Sequence, residues 1–280
     1  IDNLQGSTLQ PWLNFNPTYR FGGFDARSKM LVMSSENPAD IIGFTYPDLL
    51  PLTVQLPSGA ATLSAFQHDT QSNTFYWGDI NGNIYISDLM GSRSFSWFSM
   101  SRPIDVITVS TNHVVAITHA SDNSTSYIQV YRKDNGTPLM NLTAGWEITG
   151  AVSLGSDGQL FILGGNSGGE GYFAYLNLNT SSLNENFSFY ENSPISGLFK
   201  GIGNDFYAIQ SSGLVHYVNN FSNYTVNGNS HPSKVVFDDL NQNIWTVETD
   251  GVHLFNSTLT SELFQIPLSD ALDVWLIYNK

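Results

Sequence analysis

Apolar residues along this chain come in short extended runs, not at helical spacing. Runs of β-branched and aromatic residues bounded by Gly, Asn, Asp or Pro recur from end to end, and an apolar stripe at every third or fourth position is almost absent. The pattern predicts an all-β protein. Two kinds of paired run alternate. One kind includes RFGGFDARSKMLVMSS from Arg20, LSAFQHDTQSNTFYWGD from Leu63, DVITVSTNHVVAITHA from Asp105, GAVSLGSDGQLFILGG from Gly150, GLFKGIGNDFYAIQS from Gly197 and KVVFDDLNQNIWTVET from Lys234. The other kind starts at Ile41, Asn83, Tyr127, Tyr172, Leu214 and Val252, as in YIQVYRKDNGTPLMNLT and VHLFNSTLTSELFQIPL. First strands are therefore expected near Arg20, Ala61, Ile104, Ile148, Ile195, Lys234 and Leu272. Their spacing of roughly 40 residues is the period of a four-stranded propeller blade.

Such a blade buries its faces only against neighbouring blades, so the repeats must close into a ring. The expectation is a single domain over residues 1–280, a seven-bladed β-propeller. In this reading Leu272 to Tyr278 supplies the inner strand of the last blade and Thr8 to Asn16 its outermost strand, a clasp that removes the free edges of an open array. The last blade then lacks a sequence for its second strand, so either it is incomplete or the natural chain continues past Lys280. The alternative is a six-bladed ring with the terminal strands packed outside.

Runs such as NIYISDLMG and NIWTVETDGVHLFN open the third strand with Gly or Asn and close it with Asp or Asn. In this they resemble repeats of YVTN/NHL-type propellers, and related repeats occur in streptogramin-lyase-like and two-component-sensor propellers. The resemblance covers nearly the whole chain and reflects blade geometry, not a catalytic signature. It implies a secreted or cell-surface protein, since YVTN repeats are common in archaeal and bacterial surface-layer and secreted proteins.

Composition narrows the function classes. The absence of cysteine excludes disulfides, thiolate metal sites and cysteine nucleophiles. Ten Lys plus Arg against 24 Asp plus Glu give a net charge of -14, which argues against a nucleic-acid partner. Surface polarity comes instead from 27 Asn, 33 Ser and 20 Thr. Low charge fits an extracellular and even acidic setting, because acidification then alters the folded state's charge balance comparatively little. No run of about 18 apolar residues suggests a membrane span. The chain starts at Ile1 without an initiator Met or an apolar leader, as expected of a processed or excised chain.

Eight N-x-[ST] acceptors stand at Asn123, Asn135, Asn141, Asn179, Asn186, Asn220, Asn223 and Asn256. All but Asn123 fall in third-to-fourth-strand units or their turns, on the outer rim where a glycan meets no neighbouring blade, so N-glycosylation is expected. Gly165-Asn166-Ser167-Gly168-Gly169 matches G-x-S-x-G, but it lies between two strands with no helix to follow, and reads as a long flexible hairpin loop. Two D-x-N-x-N strings, from Asp79 and from Asp239, lack the glycine of a calcium loop and read as Asx turns. The six histidines show no metal-ligand spacing, so neither metal nor other cofactor is expected.

The second-to-third-strand loops carry Glu36, Asp79, Asp122, Glu170 and Asp250, which would share one face as a loose acidic ring. His231, in an HP junction, is expected beside the central opening, and Trp146, next to Gly145, as an exposed stacking residue. With Glu36, Asp79, Asp122, Glu170 and Asp250 they form the candidate ligand face. The leading functional expectation is an extracellular binding or structural module with a protein or glycan partner and no catalysis. The alternatives are a propeller lyase or glycoside-acting enzyme using the acidic face and His231, and a subunit of a surface filament or lattice assembled by strand sharing.

Overall fold

The computed structural model describes residues 19–25, 28–35, 41–46, 48, 50–54, 59–88, 93–187, 193–219, 221–268, 271 and 273–274. Blade one holds β1 (Tyr19–Asp25), β2 (Met30–Ser35), β3 (Ile41–Thr45) and β4 (Pro51–Val54). Blade two holds β5 (Leu63–Asp69), β6 (Thr74–Asp79), β7 (Asn83–Asp88) and β8 (Arg93–Ser99). Blade three holds β9 (Val106–Val109), β10 (His113–His119), β11 (Ser126–Arg132) and β12 (Pro138–Ala144). Blade four holds β13 (Glu147–Leu154), β14 (Leu160–Ser167), β15 (Glu170–Asn177) and β16 (Ser182–Phe187). Blade five holds β17 (Ile195–Lys200), β18 (Phe206–Gln210), β19 (Gly213–Val218) and β20 (Asn223–Asn227). Blade six holds β21 (Lys234–Asp238), β22 (Asn243–Glu248), β23 (Gly251–Asn256) and β24 (Glu262–Pro267).

Every blade is an antiparallel meander whose strands pair in chain order, and together they make an all-β propeller. The described residues form six blades, which corrects the expectation of seven and matches the six-bladed alternative. The physical reason is that each sheet already owns its outermost strand, from β4 through β24, so no blade needs a terminal strand to complete it. Thr8 to Asn16 and Leu272 lie outside the described residues, and so does the expected terminal clasp. Of the C-terminal run, Ala271 and Val274 pack on an apolar cluster of blade six around Trp245 and Leu254, and Asp273 accepts from Lys234 Nζ at 3.5 Å.

The core sits between blades, as the repeat logic requires. Met30, Val32 and Ile41 of blade one meet Phe75, Trp77 and Tyr85 of blade two. Val115, Ile117 and Ile128 of blade three meet Ile148, Phe161 and Leu163 of blade four. Similar clusters fill the next two junctions.

Two local devices repeat. In blades one, two and six the first hairpin turns on an aspartate: Asp25, Asp69 and Asp238 accept backbone N–H groups from Ser28, from Gln71, and from Leu240 and Asn241. The residue four positions on, Lys29, Asn73 or Gln242, takes positive φ, so the Asx turn stabilises a strained backbone. The second device is a bulge early in the inner strand of blades one, two, four and five. In blades two and four the bulged residue is Ser64 or Thr149. Its hydroxyl donates at 2.6 Å to the carbonyl of Ile104 or Ile195, leading into the next blade.

Candidate functional site

The second-to-third-strand hairpins and the connections between blades open on one face, here the upper face. One polar opening on that face belongs to blade three. Arg102, Pro103 and Asp105 of the connection into β9, together with His119, Ser121 and Asn123 of the β10–β11 hairpin, line a cleft of about 420 Å³. Four of the five polar side chains, all but Ser121, are fixed by a described neighbour. The Arg102 guanidinium lies over the Tyr127 ring at 4.1 Å, a cation–π contact. Asp105 Oδ2 accepts from His119 N at 2.9 Å and faces His119 Nδ1 at 3.1 Å, while His119 Nε2 stands 2.9 Å from the Ile148 carbonyl of blade four. Asn123 Nδ2 donates to Glu147 Oε1 at 3.0 Å.

Both ring nitrogens of His119 face oxygen acceptors, the arrangement of an imidazolium donating twice. Burial opposes that charge, but the hydrogen bond to Asp105 and its carboxylate charge outweigh it and raise the pKa above the ordinary histidine value. The hairpin is thereby stapled to its own blade's entry and to blade four. Asp122 is exposed and accepts from Ser124 N and Oγ, which holds its pKa below the usual carboxylate range.

Blade six carries a second cluster. Oxygen or nitrogen atoms of Glu248, Asp250 and His253 lie within 4.8 Å of one another. His253 Nε2 is 2.9 Å from Asp250 Oδ1 and its Nδ1 is 2.9 Å from Glu262 Oε1. Burial alone would lower the His253 pKa; the two carboxylates raise it, and His253 in turn lowers that of Asp250. An imidazole committed at both nitrogens to carboxylates holds a proton and presents no lone pair to a metal. Glu248 is separately engaged, accepting from Ser230 Oγ at 2.6 Å and Thr246 Oγ1 at 3.0 Å.

The acidic ring of the sequence reading is not a set of equivalent residues. Asp79 is fully buried and accepts from Ala61, Asn81 and Asn83 backbone N–H groups and from the Tyr85 hydroxyl, so it organises its own hairpin instead of lining a channel. Asp122, Glu170 and Asp250 are exposed on three different blades, and Glu36 lies outside the described residues. His231 is exposed, and its backbone N–H approaches Glu248 Oε2 at 3.4 Å.

Trp146 is buried, not an exposed stacking residue. The junction from β12 passes between blades, which turns the indole into the blade three–four cluster, stacked on Tyr172 at 6.1 Å with Nε1 donating to Glu185 at 3.1 Å. The stretch around Gly168 and Gly169 is a tight two-residue hairpin, not a long flexible loop. Ser167 pairs with Glu170, and both glycines take positive φ as a type I′ turn requires.

Of the glycosylation candidates, Asn123, Asn135, Asn141, Asn179 and Asn223 are exposed and Asn256 is half-buried. Asn186 falls in β16 and Asn220 lies outside the described residues. Sequence reasoning missed the Asp105–His119 and His253–Glu262 pairs. Only cross-strand register reveals them, since β23 and β24 set Glu262 opposite Phe255, two positions along the strand from His253 and on the same face.

A scan against protein-family models finds no match, and a search of curated proteins finds no significant match.

Proposed function

We propose that this propeller is a secreted or cell-surface protein of the YVTN/NHL-type kind, glycosylated on its rim, that serves as a binding or structural module and not as an enzyme. The observation that most supports a binding role is the blade-three cleft. Its polar groups carry both charge signs and are held by Tyr127, His119 and Glu147, so a partner would pay little ordering entropy on docking. A cation, a carboxylate, a hydroxyl and an amide around one opening suit a hydroxyl-rich partner, a glycan or a polar protein loop. General acid–base catalysis needs an acid and a base free to face one substrate atom. Here Asp105 and His119 are engaged with each other and with the scaffold.

The test is titration of the purified protein against a glycan panel and against surface proteins of its native source, with Arg102→Ala and Asp105→Asn compared at equal folded content. Loss of about tenfold in affinity, the equivalent of one charge-assisted hydrogen bond, is expected for each variant. A partner bound equally well by both variants would place the binding site elsewhere. Turnover of a glycoside or uronate polymer, abolished by Asp105→Asn, would overturn the non-enzymatic reading.

A further inference from the structure

Asn141 lies on β12, the outermost strand of blade three, with no strand beyond it among the described residues. Strand alternation puts Asn141 and Thr143, the first and third residues of one acceptor sequence, on the same face, and both are exposed. Across the ladder on β11, Gln129 stands opposite Asn141 and Tyr127 opposite Thr143, so these four side chains share that face. With Ile128 and Leu142 they line a shallow, open cleft of about 360 Å³. Acceptors elsewhere are differently placed: Asn123 and Asn256 already commit their amide N–H groups to Glu147 and Thr260.

We propose that Asn141 carries an N-linked glycan whose first sugar rests in this cleft, its C–H face against the side of the Tyr127 ring away from Arg102 and its polar groups within reach of Gln129 and Thr143. The inference rests on the proposed rim glycosylation and goes beyond it by naming the site and the surface that holds the sugar. In the attachment step Asn141 Nδ2 forms a bond to the sugar C1 as the C1–O bond of an activated glycosyl phosphate donor breaks. The phosphate leaves with the bonding pair, and one Nδ2 proton passes to a base of the transferase. Aromatic stacking of a pyranose face buries apolar area without requiring any charge. It thus suits a surface with few charged residues.

Peptide mapping of the protein from its native source, with glycans removed in heavy-oxygen water to mark each occupied Asn, tests attachment. Asn141 is expected to be marked; Thr143→Ala should remove one glycan mass and Thr143→Ser should retain it. Hydrogen exchange tests the cradle. Asn141→Gln should speed exchange of the β12 amides several-fold, whereas Asn179→Gln leaves them unchanged, and Tyr127→Leu should match Asn141→Gln in exchange while keeping the full glycan mass. Marked acceptors elsewhere with Asn141 unmarked would overturn the inference and leave rim glycosylation standing. No marked acceptor at all would overturn both. A glycan on Asn141 that leaves β12 exchange unaltered would overturn the cradle.

Discussion

Lys133 is the test of how blades two and three are held together. It sits in the β11–β12 turn of blade three and its Nζ contacts the carboxylate of Asp69 in the first hairpin of blade two; the two side chains are 12% and 7% exposed. Asp69 also accepts from Gln71 N at 3.1 Å and from the Ser72 hydroxyl, and Lys133 Nζ donates to the Ser110 carbonyl at 3.3 Å. At an effective dielectric of about 20, opposite charges about 4 Å apart attract by about 4 kcal/mol. Replacing Lys133 with Met leaves Asp69 buried without a counter-charge. Because Ser72 and Gln71 still serve it, the expected cost is toward the low end of the range for a broken buried pair, about 3 kcal/mol.

Asp69→Asn in the Lys133→Met background should recover about 2 kcal/mol, since the double variant buries no charge. Denaturant midpoints of the four proteins in the cycle give the coupling directly. Two further features follow from burial. The coupling should persist at about 1 M salt, where exposed pairs are screened. Burial pushes the Asp69 pKa up, yet the hydrogen bonds from Lys133 and Ser72 outweigh it and hold the pKa below its ordinary value. The contribution is therefore complete above the unfolded-state value near 4 and is lost as pH falls through the lower folded one. A Lys133→Met cost under about 1 kcal/mol, or strict additivity in the cycle, would refute the assignment of this pair as an inter-blade tie.

The His253 pair works in the opposite pH sense. Its raised pKa means that the stabilisation is full below the unfolded value near 6.5 and is lost as pH rises through the folded value, while the lowered Asp250 pKa requires pH above about 4. His253→Asn should thus lower the melting temperature most near pH 5 and least near pH 9, as calorimetry across that range will show; a pH-independent effect would refute the paired imidazolium. Trp146→Ala should cost about 3–5 kcal/mol in chemical unfolding, the usual cost of emptying a buried indole site, whereas an exposed stacking residue would cost under about 0.5. Gly82→Ala should destabilise strongly in the same assay, because φ is +87° there and a Cβ would lie 2.2 Å from the Met100 carbonyl.

The blades were legible because strand starts recur with Gly, Asn and Asp at the turns. Inner strands begin at Tyr19, Leu63, Val106, Glu147, Ile195 and Lys234, within two residues of six expected starts. The blade count was not legible, since a run such as LDVWLIYNK has strand composition whether or not a sheet needs it. The candidate site was visible only in part. Asp122 and Asn123 stood out as hairpin residues, but Asp105 and His119 lie 14 positions apart and meet only because β9 and β10 pair in one register. Trp146 was misplaced for a related reason: a Gly-Trp junction looks like a surface loop until the neighbouring blade closes over it.

The hydroxyls of Ser64 and Thr149, like the His119 ring, point forward along the chain, each reaching an isoleucine carbonyl at the head of the following blade. Removing blades from the two ends is therefore not symmetrical. A cut between blades two and three, or four and five, leaves the hydroxyl on the N-terminal piece and its carbonyl partner on the C-terminal piece, and exposes with them the apolar faces of both blades. Duplication of a blade keeps this link wherever the inserted copy offers a backbone carbonyl at the same register, whatever side chain stands there.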